Sequence, residues 1–144
     1  MLGPFSFEGE YTYLGLKLPQ ISTYQNNNYN MYAYFVNLSF FLTGEHKNYN
    51  VKKGAFDRLL PKNNFGKGGA GAFEIGVRYS SIDLNDKDML GGKMGNLTAG
   101  LNWYLNPSTR FMFNYILSDA QPVIEGKSVK GYANIYQMRF QITF

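Results

Sequence analysis

Residues Tyr132 to Phe144, YANIYQMRFQITF, alternate so sharply that they constrain the fold before anything else is known. Tyr132, Asn134, Tyr136, Met138, Phe140, Ile142 and Phe144 share one parity, and nearly all are apolar or aromatic. Ala133, Ile135, Gln137, Arg139, Gln141 and Thr143 share the other, mostly polar. Successive side chains of a strand point to opposite faces, so this segment is a two-faced strand ending on a bare aromatic.

The same period recurs over strand-length segments near 5–18, 29–43, 72–81, 96–105 and 109–118, which with 132–144 makes six. Phe73, Ile75, Val77 and Tyr79 oppose Glu74, Gly76, Arg78 and Ser80. Leu97, Ala99, Leu101 and Trp103 oppose Thr98, Gly100, Asn102 and Tyr104. Phe111, Phe113, Tyr115 and Leu117 oppose Arg110, Met112, Asn114 and Ile116. The second segment is less clean, because Phe35 and Phe41 fall on its polar face. Each segment is near the roughly 9–11 residues that a tilted strand needs to cross a bilayer.

Composition fits that reading. Aromatic residues make up 17% of the 144 residues and charged residues only 17%, a sticky surface for a soluble domain. Mean hydropathy is nevertheless −0.30, and no run of about 18 apolar residues suggests a spanning helix. A transmembrane barrel reconciles the two, since only alternate residues face lipid. Absence of Cys excludes disulfides and thiolate metal sites.

Net charge is concentrated in the connection 44–70, read as a basic linker. It carries Lys47, Lys52, Lys53, Arg58, Lys62 and Lys67 against Glu45 and Asp57. A nucleic-acid partner would rest on that segment alone, with no binding fold around it, and is not expected. Asn106-Pro107-Ser108 reads as a tight turn, and 19–28, 82–95 and 119–131 read as longer polar loops. With Phe144 on the periplasmic side, the Asn106 turn and the basic linker lie there too, and the longer loops lie outside.

Other motifs carry little. Asp83, Asn85, Asp86 and Asp88 resemble half of a calcium loop, but Lys87 and the missing closing Glu break the pattern, so a solvated hairpin tip is expected. Gly66-Lys67-Gly68-Gly69 lacks the Lys-Ser/Thr ending of a phosphate-cradling loop. With His46 as the only His, no catalytic or zinc constellation can be assembled. No enzyme, cofactor or metal site is therefore expected.

Several blocks together resemble the phosphate-selective porin O/P family. They are Phe41-Leu42-Thr43-Gly44-Glu45, Gly54-Ala55-Phe56, Pro61-Lys62-Asn63-Asn64-Phe65, the run from Gly71 to Asn85, and the run from Asn96 to Pro107. Their order and spacing are similar to the C-terminal third of such porins, from about Phe40 to Phe144. The resemblance implies an all-β, antiparallel up-and-down transmembrane β-barrel in the bacterial outer membrane, of which the chain supplies about six C-terminal strands of sixteen. It also implies a homotrimer as the full-length porin, passive passage of small anions such as phosphate or polyphosphate, and dependence on the barrel-assembly machinery.

Six strands fall short of the eight with which bacterial barrels begin, and an open sheet would leave unpaired edges in lipid. The N-terminus also lacks a basic region followed by an apolar core. The chain is therefore expected to be part of a longer or split barrel, or one subunit of an oligomer that pools strands. A reading from another class is a small self-contained β-sheet protein that binds through its aromatic face.

Candidate lumen-lining residues are Arg78, Arg110, Arg139 and Glu74, since inward charge sets ion selectivity and Arg favours anions. The alternative is that the arginines pair with Glu8, Glu10 and Glu74 and merely stiffen the wall, which the near balance of inward charge favours. Tyr79, Trp103, Tyr115 and Phe144 are expected in interface girdles. Tyr136, Phe140, Ile142 and Phe144 are the expected C-terminal assembly signal.

Overall fold

A computed structural model describes residues 3–19 and 26–144. Its elements are β1 (Phe5–Lys17), β2 (Asn28–Phe41), β3 (Tyr49–Asn50), β4 (Ala55–Phe56), β5 (Ala72–Asp86), β6 (Met89–Asn106), β7 (Thr109–Gln121), β8 (Val123–Ile124), β9 (Lys127–Ser128) and β10 (Gly131–Ile142). No helix occurs among the described residues. Six long strands form one antiparallel sheet in the order β1-β2-β5-β6-β7-β10, each beside its neighbour in sequence. The sheet is all-β and up-and-down, and it is open, with β1 and β10 as edges.

Register aligns the apolar parities of all six strands. One row across the sheet runs Phe5, Phe40, Ile75, Leu101, Phe113 and Met138, and the next runs Phe7, Leu38, Val77, Ala99, Tyr115 and Tyr136. A one-residue slip in any pair would break the band, so the pattern itself fixes register. Among the described residues, most of this apolar face is uncovered: Leu38, Val77, Leu101 and Phe113 are all exposed. Tyr29, Met31, Phe41 and Ala72 are the only buried hydrophobic residues among those described. A self-contained soluble domain of this length would bury far more, and a continuous exposed apolar face signals lipid or a partner.

Strands run beyond the segments of clearest alternation. The 82–95 connection, expected to be a loop, is a continuation of the ladder. Ile82 pairs with Met94 and Asp83 with Lys93, and beyond a bulge Asn85 pairs with Leu90. Only Lys87 and Asp88 form the turn, and Lys87 takes a left-handed φ of 52°. At about 3.4 Å per residue, the 18 residues of β6 reach roughly 60 Å, well past an apolar band. The 119–131 connection similarly carries the small β8–β9 hairpin. Residues 20–25 of the expected 19–28 loop lie outside the described residues.

Polar bonds tie the tip of the β5–β6 hairpin to the start of β2. Tyr29 Oη and Asn26 Nδ2 donate to Asp88 at 2.8 and 2.7 Å, and the Asn30 amide donates to Asp86 at 2.7 Å. Lys87 Nζ donates to the Asn28 carbonyl at 2.7 Å. Asp83 instead accepts from Lys93 at 2.7 Å and from Tyr32 at 3.2 Å. The acidic residues that suggested half a calcium loop are thus directed to separate partners.

Candidate functional site

Opposite the apolar band lies a polar face that borders a cavity of about 750 Å³. All six long strands contribute to its lining, from Glu8 on β1 to Gln141 on β10. Residues 56–59 of the β2–β5 connection close it from the other side. The 44–70 segment is therefore not a plain linker. Its first half forms an arm, with β3 and β4 as a hairpin, lying against the polar face.

Local bonds explain the fold of this arm. Gly44 has φ +79°, a left-handed conformation that turns the chain off the end of β2. Glu45, only 4% exposed, accepts from the Thr43 hydroxyl and from the Lys62 amide, the latter at 3.1 Å, and so ties the two ends of the arm together. Burial pushes the Glu45 carboxyl up, but the bonds from Thr43 and Lys62 outweigh it and hold the group below its ordinary 4.5. Within the hairpin, the Asp57 amide donates to the Asn48 carbonyl at 2.8 Å, and Tyr49 and Phe56 meet edge to face at 5.3 Å. Hydrogen bonds from Lys53 and Asn50 keep the Asp57 carboxyl below its ordinary value.

Two contacts fasten the arm to the wall. Lys47 Nζ lies 2.6 Å from Glu74 and 3.1 Å from Ser39 Oγ. Arg58 reaches Ser108 Oγ at 3.4 Å, on the turn between β6 and β7. Asn106 Oδ1 caps that turn by accepting the Ser108 amide at 2.8 Å, the local turn chemistry anticipated for Asn-Pro-Ser. Glu74 is 2% exposed and also accepts from Asn102 at 3.0 Å and Tyr104 Oη at 2.9 Å. A buried carboxylate is tolerable only when its charge and lone pairs are satisfied, as they are here.

Arg78, Arg110 and Glu74 all line the cavity. Arg139 pairs with Met112 in the β7–β10 register and so shares their face, on the exposed edge strand. The arginines do not pair with glutamates. Arg78 lies over the Phe35 ring at 4.0 Å, and Arg110 grips Gln141 Oε1 at 2.9 and 3.2 Å while lying 5.6 Å from the Tyr104 ring. Among the described residues, no carboxylate lies within ion-pair distance of Arg78, Arg110 or Arg139. The expected arginine–glutamate pairing is not found: a neutral acceptor and aromatic rings hold Arg78 and Arg110, and a lysine from the arm takes up Glu74.

These contacts also explain the two aromatics that spoil the alternation of β2. Phe35 is the platform for Arg78, and Phe41 packs beneath the arm against Tyr104, ring centroids 6.0 Å apart. Sequence reading placed Lys47 in the basic linker but missed its role as the partner of Glu74. The available signal was a buried-face Glu in a ladder with no basic cross-strand partner, which requires its countercharge to come from elsewhere.

On the apolar face, rings gather at the end of the sheet nearest the arm. Phe73, Trp103, Phe111 and Phe140 form a row with centroid separations of 5.6, 6.0 and 4.7 Å. The second half of the connection reaches this row from outside. Phe65 meets Trp103 edge to face at 5.1 Å, and Trp103 Nε1 donates to the Ala70 carbonyl at 2.7 Å. Tyr136 stacks on Tyr115 at 5.0 Å, and Tyr115 Oη donates to Asn134 at 2.8 Å, one row pair further along the strands. Ile142 sits on the same face, opposite Thr109. Phe144 lies beyond the last ladder bond, Thr143 N to Ser108 O at 2.8 Å, and is fully exposed.

Comparison with known proteins agrees with this architecture. The profile of the family described as phosphate-selective porin O and P matches residues 1–144. Porin O of Pseudomonas aeruginosa is 28% identical over 124 residues, covering 80% of this chain and 27% of that protein. An uncharacterized protein of Caulobacter vibrioides is 40% identical over 87 residues, covering 60% of this chain and 17% of that protein. The chain thus spans less than a third of the length of these curated relatives. An open antiparallel sheet with an uncovered apolar face, a charged opposite face and a family match over its full length together show that the chain belongs to the phosphate-selective porin O and P family, proteins of the bacterial outer membrane.

Proposed function

We propose that the chain forms the C-terminal strands of a sixteen-stranded, trimeric barrel that passes small anions such as phosphate or polyphosphate by passive diffusion. The observation that carries this reading is the charge state of the polar face. Among the described residues, Arg78, Arg110 and Arg139 have no carboxylate within ion-pair distance, while Lys47 offsets the buried Glu74. A wall whose guanidinium groups are not neutralised by carboxylates, beside a masked carboxylate, favours anions and discourages cations. Closure accounts for the open edges: β1 and β10 would pair with strands outside this chain, since unpaired backbone groups in hydrocarbon are prohibitively costly. Lipid then covers the apolar band, and the assembly machinery reads Tyr136, Phe140, Ile142 and Phe144. No step of bond making is involved.

Planar-bilayer recordings of the complete channel test this reading. In a salt gradient the reversal potential is expected to lie on the anion side, and added phosphate is expected to reduce chloride current by competing for the pore. A cation-selective channel, or none, would overturn it.

A further inference from the structure

We propose that the Lys47–Glu74 ion pair is a selectivity latch: it fixes the 44–59 arm against the polar wall, masks the one buried carboxylate there and holds Arg58 over the cavity. The inference rests on the porin reading above. Its basis is the geometry of one carboxylate. Glu74 is 2% exposed, and its two oxygens are shared between Lys47 at 2.6 Å, Asn102 at 3.0 Å and Tyr104 at 2.9 Å. Three partners come with the wall or the arm, but only Lys47 brings a charge, and only Lys47 belongs to the arm.

Geometry at the arm's base makes the latch effective. Glu45 joins Thr43 to Lys62, so both ends of the arm are anchored, and the latch lies two residues beyond that anchor. Past the latch, the hairpin carries Arg58 to the β6–β7 turn, where its guanidinium meets Ser108 at 3.4 Å. Arg58 and Arg110 then border the same cavity, one on the arm and one on the wall. Opening the pair has two effects on a passing ion. It uncovers a negative charge beside the path, and it frees the cationic tip from a fixed position. Lys47 and Glu74 are therefore positioning residues whose pairing decides local charge, distinct from the arginines that meet the ion.

Charge-altering variants in the complete channel separate these effects. Lys47→Met is expected to lower the anion-to-cation permeability ratio about twofold or more, because a carboxylate is left unmasked, and to raise open-channel noise. Glu74→Gln is expected to raise noise equally while leaving anion preference intact or stronger, because the freed charge is positive. The double swap K47E/E74K is expected to restore quiet openings. A purely structural contact would give both single variants the same direction of change in reversal potential, and that result would overturn the latch. Should the variants fail to assemble, a spin label at Lys53→Cys, in the channel with any Cys outside this Cys-free chain replaced, decides the matter. An immobilised label supports a fixed arm, and a freely tumbling one overturns it. A wild-type channel lacking anion preference would instead defeat the porin reading itself, a result separable from both.

Discussion

Residues 44–59 and residues 63–71 are halves of one connection, yet they are attached to opposite sides of the same wall by different physics. The first half is rich in Lys and is fastened to the polar face by ions and hydrogen bonds, at Lys47–Glu74 and Arg58–Ser108. The second half carries Phe65 and is fastened to the apolar face through Trp103. Between them, at Pro61 to Asn63, the chain passes around the rim of the sheet. The contrast follows from what each face can offer. A buried carboxylate gives a lysine, and a turn hydroxyl gives an arginine, somewhere to go inside, and a row of rings gives Phe65 a surface outside. One connection thereby clips over the rim, and each grip should fail for its own reason.

The outer grip should show the largest effect. Gly71 has φ +78°, and a Cβ there would lie 2.3 Å from the Tyr104 carbonyl oxygen, so no side chain fits without moving β6. Gly71→Val is expected to cost about 3 kcal/mol or more, through strained backbone and a direct clash. Thermal unfolding of the folded barrel in detergent would show it as a lowered midpoint, and an unchanged midpoint would mean the outer grip is loose in the membrane. Trp103→Ala follows at about 3 kcal/mol, since it removes contacts to Phe65, Phe73 and Phe111 together with the bond to Ala70. Trp103→Phe separates ring from hydrogen bond and should lose only about 1 kcal/mol.

The base of the inner grip should respond more weakly and with pH. Glu45 is held below its ordinary 4.5, so its contribution is fully present above that value. As pH falls through the lowered folded-state value, the carboxyl protonates and the contribution is lost. Glu45→Gln removes the charge permanently and is expected to cost about 1 kcal/mol at neutral pH, with the difference from wild type vanishing in acid. Stability curves followed from pH 7 downward until the acid limb levels off check this. A difference that persists in acid would assign the effect to shape and not to charge.

The two halves of the clip also differ in how legible they were. Phe73, Trp103, Phe111 and Phe140 share a parity, so their row follows from alternation once register is fixed. The hairpin extension over 82–95 was obscured because Asp, Asn and Gly resemble loop composition, although Asp83 and Lys93 are cross-strand partners. The inner grip was hidden more deeply. Lys47 and Glu74 are far apart in sequence and in different elements, and charge alone does not reveal which of the five lysines in the connection will find a buried carboxylate. Phe35 and Phe41 looked like defects in β2 because their partners, Arg78 and Tyr104, come from other strands.

The smallest effect on the folded state should come from the last residue, and that smallness is informative. Phe140 packs on Phe111 at 4.7 Å and terminates the ring row that the outer grip uses, whereas Phe144 is fully exposed beyond the final ladder bond. Phe140→Ala should therefore lower folded stability by roughly 1 kcal/mol through the lost ring pair. Deleting Phe144 should leave stability within about 0.5 kcal/mol of wild type, as expected for a position with no contact to lose. Its deletion is expected instead to reduce the yield of assembled barrel in the outer membrane, read from heat-modifiable electrophoretic mobility. Normal yield would make the terminal ring incidental. A large loss of folded stability would mean that Phe144 packs against something outside this chain, and the natural candidate is the strand that closes the barrel against β10.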